Sequence, residues 1–110
     1  MRNGVLTMKQ GPLAGVQVVD LTSMVMGPYC TQIMADMGAD VVKVEPPEGD
    51  NMRYVSVGPA PGMSGVFVNV NRGKRSIVLD LRTQSGKAAL RALIARADVF
   101  IHSMRSKAIA

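Results

Sequence analysis

Residues 16–21, 41–45, 76–81 and 98–102 are four short apolar runs rich in Val and Ile, and their spacing constrains the fold more than any other feature. Each has the length and β-branched content of a buried strand. The gaps between them are too long for hairpin turns and long enough for the crossovers that parallel strands require. Two gaps carry a helical pattern. In the first, Tyr29, Ile33 and Met37 recur every four residues with Met34 beside them, which predicts one apolar helix face over 28–37. In the last, Thr83 is an N-cap, and Leu90, Leu93, Ile94 and Ala97 fall at i, i+3, i+4 and i+7. Pro28 suits a first helical turn and Gly38 the position just past a helix end. The expected class is α/β, a mostly parallel sheet with flanking helices.

In such sheets ligands gather beyond the carboxyl ends of the strands. Residues 22–28, 46–50 and 103–107 are expected there. Residues 46–63 form a long loop with four prolines and three glycines, a length that marks a functional or mobile segment. Residues 64–70 read equally as a short helix or a strand. Residues 1–12 read as a leader that ends at the breaker pair Gly11-Pro12.

Charge divides along the chain. Residues 1–50 hold three Lys/Arg against six Asp/Glu, while residues 51–110 hold ten against two. A basic half points to an anionic partner, and Arg72, Lys74 and Arg75 around Gly73 are its densest cluster. Guanidinium groups suit bidentate phosphate contacts. With no Trp, two Tyr and two Phe, the chain lacks the stacking surface of nucleic-acid binders, so a small phosphorylated ligand is the better match and no nucleic-acid partner is expected. A solvated basic turn is the alternative, as it is for Lys87, Arg91 and Arg96 on the last helix.

Other signatures are missing. The turn after the first strand, 22–28, holds one glycine where a dinucleotide fingerprint needs three. Gly73-Lys74 fails as a P-loop because Val68 and Arg75 stand where a glycine and a Ser/Thr belong. The single cysteine, Cys30, excludes an internal disulfide and a cysteine zinc cluster, and is expected to be a small buried apolar group. The single histidine, His102, ends a strand and reads as a packed or surface residue rather than a base or metal ligand. Met24, Met26, Met34 and Met37 read as core filler or as a soft wall for a ligand. No apolar run approaches the roughly 20 residues of a membrane helix and no signal region is evident, so a cytoplasmic protein with no membrane partner is expected.

Several stretches, in order, resemble the N-terminal part of the family III coenzyme A transferases, which include formyl-CoA and carnitine CoA-transferases, the bile-acid-inducible enzymes and α-methylacyl-CoA racemase. They are residues 13–22 (LAGVQVVDLT), 27–32 (GPYCTQ), 35–46 (ADMGADVVKVEP), Gly49-Asp50, 71–77 (NRGKRSI) with Leu79-Asp80-Leu81, and Ala97-Asp98-Val99. After the fourth strand this chain reads HSMRSK where many members read ENFRPG, and Pro46 stands where some transferases place an arginine.

The resemblance implies a Rossmann-like large domain, of which 13–110 is the N-terminal segment, with the rest of that domain and a smaller one farther along. It also implies a homodimer of two interlocked chains. Coenzyme A, carried as an acyl-CoA substrate, would meet Ser23, Val25 and Met26 after the first strand, Leu79 and Arg82 after the basic turn, and Ser103, Met104 and Arg105 after the fourth strand. The transferases move coenzyme A from an acyl-CoA thioester to a carboxylic acid through a nucleophilic aspartate, and the racemases use a His and Asp pair. Neither constellation matches a residue here, so no catalytic or metal-binding residue is expected in this chain. A racemase-type enzyme, and a non-catalytic nucleotide- or anion-binding module using the 71–75 turn, are the alternative readings. A segment of this kind, with apolar strand faces lacking partners, is expected to be poorly stable or oligomeric alone.

Overall fold

A computed structural model describes residues 10–109 of the chain. Four parallel strands, β1 (Gln17–Leu21), β2 (Asp40–Glu45), β3 (Arg75–Val78) and β4 (Val99–His102), form one sheet in the order β3-β2-β1-β4. The helices are α1 (Met26–Asp36), α2 (Gly65–Asn71), α3 (Gln84–Ala95) and a short terminal α4 (Ser106–Ile109), with a 3-10 helix at Asn51–Tyr54. The chain steps outward from β1 to β3 and then returns to the far side of β1 for β4. That reversal makes the β1–β4 border a topological switch point, where open α/β sheets build their sites. Residues 1–9 of the expected leader lie outside the described residues.

The local chemistry explains the boundaries. Pro28 lies in the first turn of α1, where its missing N–H has no helical partner. Gly38 follows the helix at φ +102°, and a Cβ there would stand 2.7 Å from the Gln10 carbonyl oxygen, so only glycine lets the helix end close on residues 10–14. Ser64 decides the ambiguous 64–70 segment as a helix, since its Oγ accepts from Phe67 N at 3.2 Å. Thr83 caps α3 through Gly86 N at 3.0 Å, as its position predicts. Strand β3 is shorter than the apolar run 76–81: Leu79 N still donates to Glu45 O at 3.0 Å, and then Asp80 turns the chain by accepting from Arg82 N.

The core occupies the α1 side of the sheet. Val18, Ala35, Ala39 and Val41 are buried, with Leu13, Val16, Met34, Val99 and Ile101 packed around them. Val19 and Val42 alternate to the other face, where Leu93 of α3 and Ala97 just past its end adjoin them. The expected apolar face of that helix, Leu90, Leu93, Ile94 and Ala97, is half-buried.

Helix α1 departs from its periodicity. The stripe expected to pack inward is exposed: Tyr29 is 56%, Ile33 38% and Met37 43% accessible. Pro28, Thr31, Gln32 and Ala35 face the sheet instead. Cys30 is exposed rather than buried, and Met24, Met26 and Met37 are exposed rather than core filler. The reason is Asp20, a carboxylate at full burial on the inner face of β1, which needs donors from the helix above it. Thr31 Oγ1 supplies one at 2.6 Å, which turns the polar side of α1 inward.

This reversal makes a direct prediction. Val41→Ala should lower the stability of the 110-residue chain by about 2 kcal/mol through lost burial and a residual cavity. Ile33→Ala should cost under about 0.5 kcal/mol. Denaturant midpoints of the two variants check the ranking, and equal losses would restore the periodic face to the core.

Candidate functional site

The inner face of the sheet is stratified. Near the amino ends of the strands it is apolar, with Val18, Val41 and Val99 in register. One pleat repeat farther on it turns ionic, with Asp20 beside Lys43 and Lys43 beside Ser76, and then Glu45. Asp20, Lys43, Glu45 and Asp50 are each 3% accessible or less. Buried charges of this kind are tolerated when each finds a partner.

The partners come from the strand-end loops. Asp20 Oδ1 accepts from Thr22 N and Thr22 Oγ1, while Asp20 Oδ2 accepts from Thr31 Oγ1 and from Lys74 Nζ at 3.0 Å. Burial works against the Asp20 charge, but the two threonine hydroxyls and Lys74 outweigh it and hold its pKa below the ordinary value. Burial lowers the Lys74 pKa, and Asp20 opposes that shift. Lys74 Nζ also donates to Pro28 O at 3.0 Å and to Asn71 Oδ1 at 2.7 Å. Lys43 Nζ lies 3.0 Å from Asp50 Oδ2 and donates to Thr22 O at 3.0 Å. Glu45 receives Arg53 Nε at 2.7 Å and Arg53 Nη2 at 2.6 Å, together with Ser76 Oγ and Asp50 N. Arg53 also stacks 4.0 Å over the Phe67 ring. The proline-rich 46–63 loop is thus pinned at Asp50 and Arg53.

Above this ionic layer a cleft of about 430 Å³ opens at the carboxyl ends of the strands. Leu21, Val44, Pro46, Pro47, Leu79, Leu81 and Met104 give it apolar walls, and Ser23, Glu48, Asp80 and Arg82 bring polar groups. Lys43, Glu45 and Asp50 form part of the lining, each engaged with its partner. Arg82 is paired with Asp80 at 2.9 Å, yet its side chain is 79% accessible. The hydrogen bond from Arg82 holds the Asp80 carboxyl below its ordinary pKa.

Four of the eight residues marked out by the family resemblance, Ser23, Leu79, Arg82 and Met104, line this cleft together. Ser103 joins them indirectly, because its Oγ accepts from Ser23 N at 3.3 Å across the β1–β4 border. Arg105 is exposed beside Met104. Val25 and Met26 stand apart from the cleft lining, exposed where α1 begins. The three loops expected at the strand ends each contribute to the lining, through Thr22 and Ser23, through 46–50, and through Met104. His102 is exposed, and its Nδ1 accepts from Met104 N at 3.1 Å, shaping the loop after β4.

The basic turn has a different role from the one its composition invites. Arg72 pairs with Asp36 at 2.9 Å, Lys74 with Asp20 at 3.0 Å and Arg75 with Asp40 at 2.8 Å. All three cations pair with carboxylates of the scaffold, so the turn fastens the start of β3 to α1, β1 and β2; Lys74 is buried in its pair, while Arg72 and Arg75 keep exposed side chains.

The model of CoA-transferase family III matches residues 13–110. The chain belongs to that family. It is 48% identical over 100 residues to the succinyl-CoA:mesaconate CoA-transferase of Haloarcula hispanica, covering 87% of this chain and 25% of that protein. It is 41% identical over 109 residues to the succinate–glutarate CoA-transferase of Agrobacterium fabrum, covering 93% and 27%. Among solved structures, a CAIB/BAIF family protein from Brucella suis superposes with a TM-score of 0.83 at 41% identity, over 92% of this chain and 28% of that one. The chain therefore spans about a quarter of the length of the family III relatives it matches, and its sheet is the Rossmann-like architecture of their structural neighbours.

Sequence reasoning missed the ionic layer under the cleft. A readable signal existed: Asp20, Lys43 and Glu45 interrupt apolar strand runs, and a charge inside a buried strand calls for a partner.

Glu45 makes this layer measurable. Burial opposes its charge, but hydrogen bonds from Arg53, Ser76 and the Asp50 amide, with the Arg53 cation, take its pKa from 4.5 to about 2. Because the folded value is depressed, this stabilisation is complete above pH 4.5 and is lost as the pH falls toward 2. Glu45→Gln should make stability fall less steeply across that window. Denaturant midpoints measured against pH check this, and parallel acid limbs for the two proteins would refute it.

Proposed function

We propose that this chain supplies coenzyme A-binding surface to an enzyme that moves coenzyme A from an acyl-CoA thioester to a carboxylic acid. The observation that carries the reading is the gathering of Ser23, Leu79, Arg82 and Met104, from three separate loops, around one cleft at the strand ends. The apolar walls suit the uncharged parts of the coenzyme. Its phosphates match Arg82 in the cleft lining, and the exposed cations Arg105 and Lys107 follow Met104 on the segment after β4. Val25 and Met26, outside the cleft, belong to the same turn as Ser23 and extend the contact along the start of α1.

A transferase of this kind needs a carboxylate to attack the thioester carbon, forming a mixed anhydride and releasing the thiolate. Asp20, Glu45 and Asp50 are committed to the ionic layer, Asp36, Asp40 and Asp80 pair with arginines, and Asp98 accepts from Gln17 N. Glu48 lines the cleft outside these pairs, but the family resemblance assigns the nucleophile to an aspartate that matches none of these positions, so we place it in another part of the protein. The activities of the Haloarcula and Agrobacterium relatives, transfers between carboxylic acids, favour the transferase over the racemase. The burial of Lys74 against Asp20, with Arg72 and Arg75 each paired to a scaffold carboxylate, disfavours a separate anion-binding module on that turn. A homodimer of interlocked chains fits the exposed apolar residues Tyr29, Ile33 and Met37 along α1. A cytoplasmic location is supported by the exposed thiol of Cys30, a group that persists in reducing compartments.

Removing one charged contact to a phosphate costs about 1.5–3 kcal/mol, roughly tenfold or more in affinity. Arg82→Ala in the intact protein should therefore weaken coenzyme A binding by about tenfold in calorimetric titration. Affinity equal to that of the unsubstituted protein would sink the assignment.

A further inference from the structure

The backbone of the turn after β1 is strained where the coenzyme is proposed to lie. Met24 sits at φ +72°, in the left-handed region that side chains other than glycine rarely adopt. Such a conformation persists only where its surroundings over-determine it. The turn also closes tightly on itself, since a Cβ on Gly27 would stand 2.5 Å from Thr22 Cβ.

Two buried side chains grip this turn from beneath. Lys43 Nζ donates to Thr22 O at 3.0 Å, one residue before Ser23. Asp50 Oδ1 accepts from Met24 N at 3.5 Å, one residue after it, and from Met52 N at 3.0 Å. The two groups hold each other, with Lys43 Nζ 3.0 Å from Asp50 Oδ2, and their side chains are 2% and 1% accessible. Asp50 Oδ2 accepts no hydrogen bond of good geometry, so only the ionic contact with Lys43 compensates it. We infer that the Lys43–Asp50 pair is a positioning clamp, which holds the strained 22–24 backbone in the shape that presents Ser23 to the coenzyme. The inference rests on the coenzyme reading of the cleft given above.

The clamp touches only the carbonyl of residue 22 and the amide of residue 24. It fixes the path of the turn without using the side chains of Ser23, Val25 or Met26, which all remain exposed. It also couples the turn to the 46–63 loop, because Asp50 caps the 3-10 helix that begins that loop's inner half. A shift of either loop therefore moves the other, and small misplacements at such sites cost about a hundredfold in function.

The test compares three forms of the intact protein by calorimetric titration with coenzyme A. Asp50→Asn keeps the acceptor for Met24 N and removes the charge that anchors Lys43. It should weaken binding by about tenfold or more. Adding Met24→Gly to that variant places a residue that adopts positive φ without strain. This second change should recover a large part of the lost affinity, an effect that a merely structural role for Asp50 would not produce. Unchanged affinity in Asp50→Asn, or no recovery on adding Met24→Gly, would overturn the clamp. Should Asp50→Asn fail to fold, Asp50→Glu takes its place: weaker binding at an unchanged thermal midpoint supports the clamp, and unchanged binding overturns it. If the unsubstituted protein itself does not bind coenzyme A, the coenzyme reading falls. The clamp then stands on whether hydrogen exchange of the amides of residues 22–26 quickens in Asp50→Asn, and equal exchange rates overturn it.

Discussion

Asp20 holds a carboxylate at full burial in the middle of a parallel sheet, and much of the structure is arranged to supply its donors. They come from the turn after β1 through Thr22, from α1 through Thr31, and from the start of β3 through Lys74. A single side chain thus ties together segments 54 residues apart in sequence. Pairs of this kind contribute little net stability against an apolar alternative of the same shape, but removing one partner costs about 3–5 kcal/mol because a charge is stranded. Their consequence is specificity: only one arrangement of α1, β1 and the 71–75 turn satisfies Asp20.

The same logic runs outward along the inner face. Lys43 needs Asp50, and Glu45 needs Arg53 and Ser76, so the long loop after β2 is drawn down onto the strand ends. That loop could not be placed from its prolines and glycines, which report only that it lacks regular structure. The ion pairs give it a fixed path, and Pro46, Pro47 and Glu48 of that loop line the cleft together with Asp50. A polar floor under an apolar-walled cleft is therefore one construction, built by strands whose inward residues switch from Val to charge toward their carboxyl ends.

Much of this was legible in the sequence, and the departures have physical causes. Strand runs and their gaps gave the parallel sheet, and Thr83, Gly38 and Pro28 gave helix ends within a residue or two, because capping and backbone restriction are local effects. The orientation of α1 was not legible, since periodicity assumes that the apolar stripe packs inward. Here a buried acid on the neighbouring strand overrides that assumption, so Thr31 and Gln32 face the sheet while Tyr29 and Ile33 face out. Within the cleft, Ser23, Leu79, Arg82 and Met104 came from the family resemblance; composition alone pointed to Arg72, Lys74 and Arg75. Composition registers cations and is blind to the carboxylates that meet them across the fold.

The charge asymmetry between the two halves of the chain takes on a different meaning in this light. An acidic first half and a basic second half look like the mark of an external anion. In the folded chain, Asp20, Asp36, Asp40 and Glu45 of the first half each pair with Lys74, Arg72, Arg75 and Arg53 of the second. The asymmetry is in good part internal complementarity, with the sheet's first two strands and first helix supplying anions to the turn and strand that dock on them. On the proposed coenzyme reading, the cations left for the ligand include the exposed Arg105 and Lys107 on the segment after β4, with Arg82 shared between Asp80 and the solvent. If the cleft takes coenzyme A as proposed, electrostatic attraction there is weaker than the net charge implies, and recognition depends more on the apolar walls and on a correctly held backbone. A strained turn set over a buried ion pair fits that division: the charges inside the fold fix the geometry, and the exposed ones are left for the proposed coenzyme.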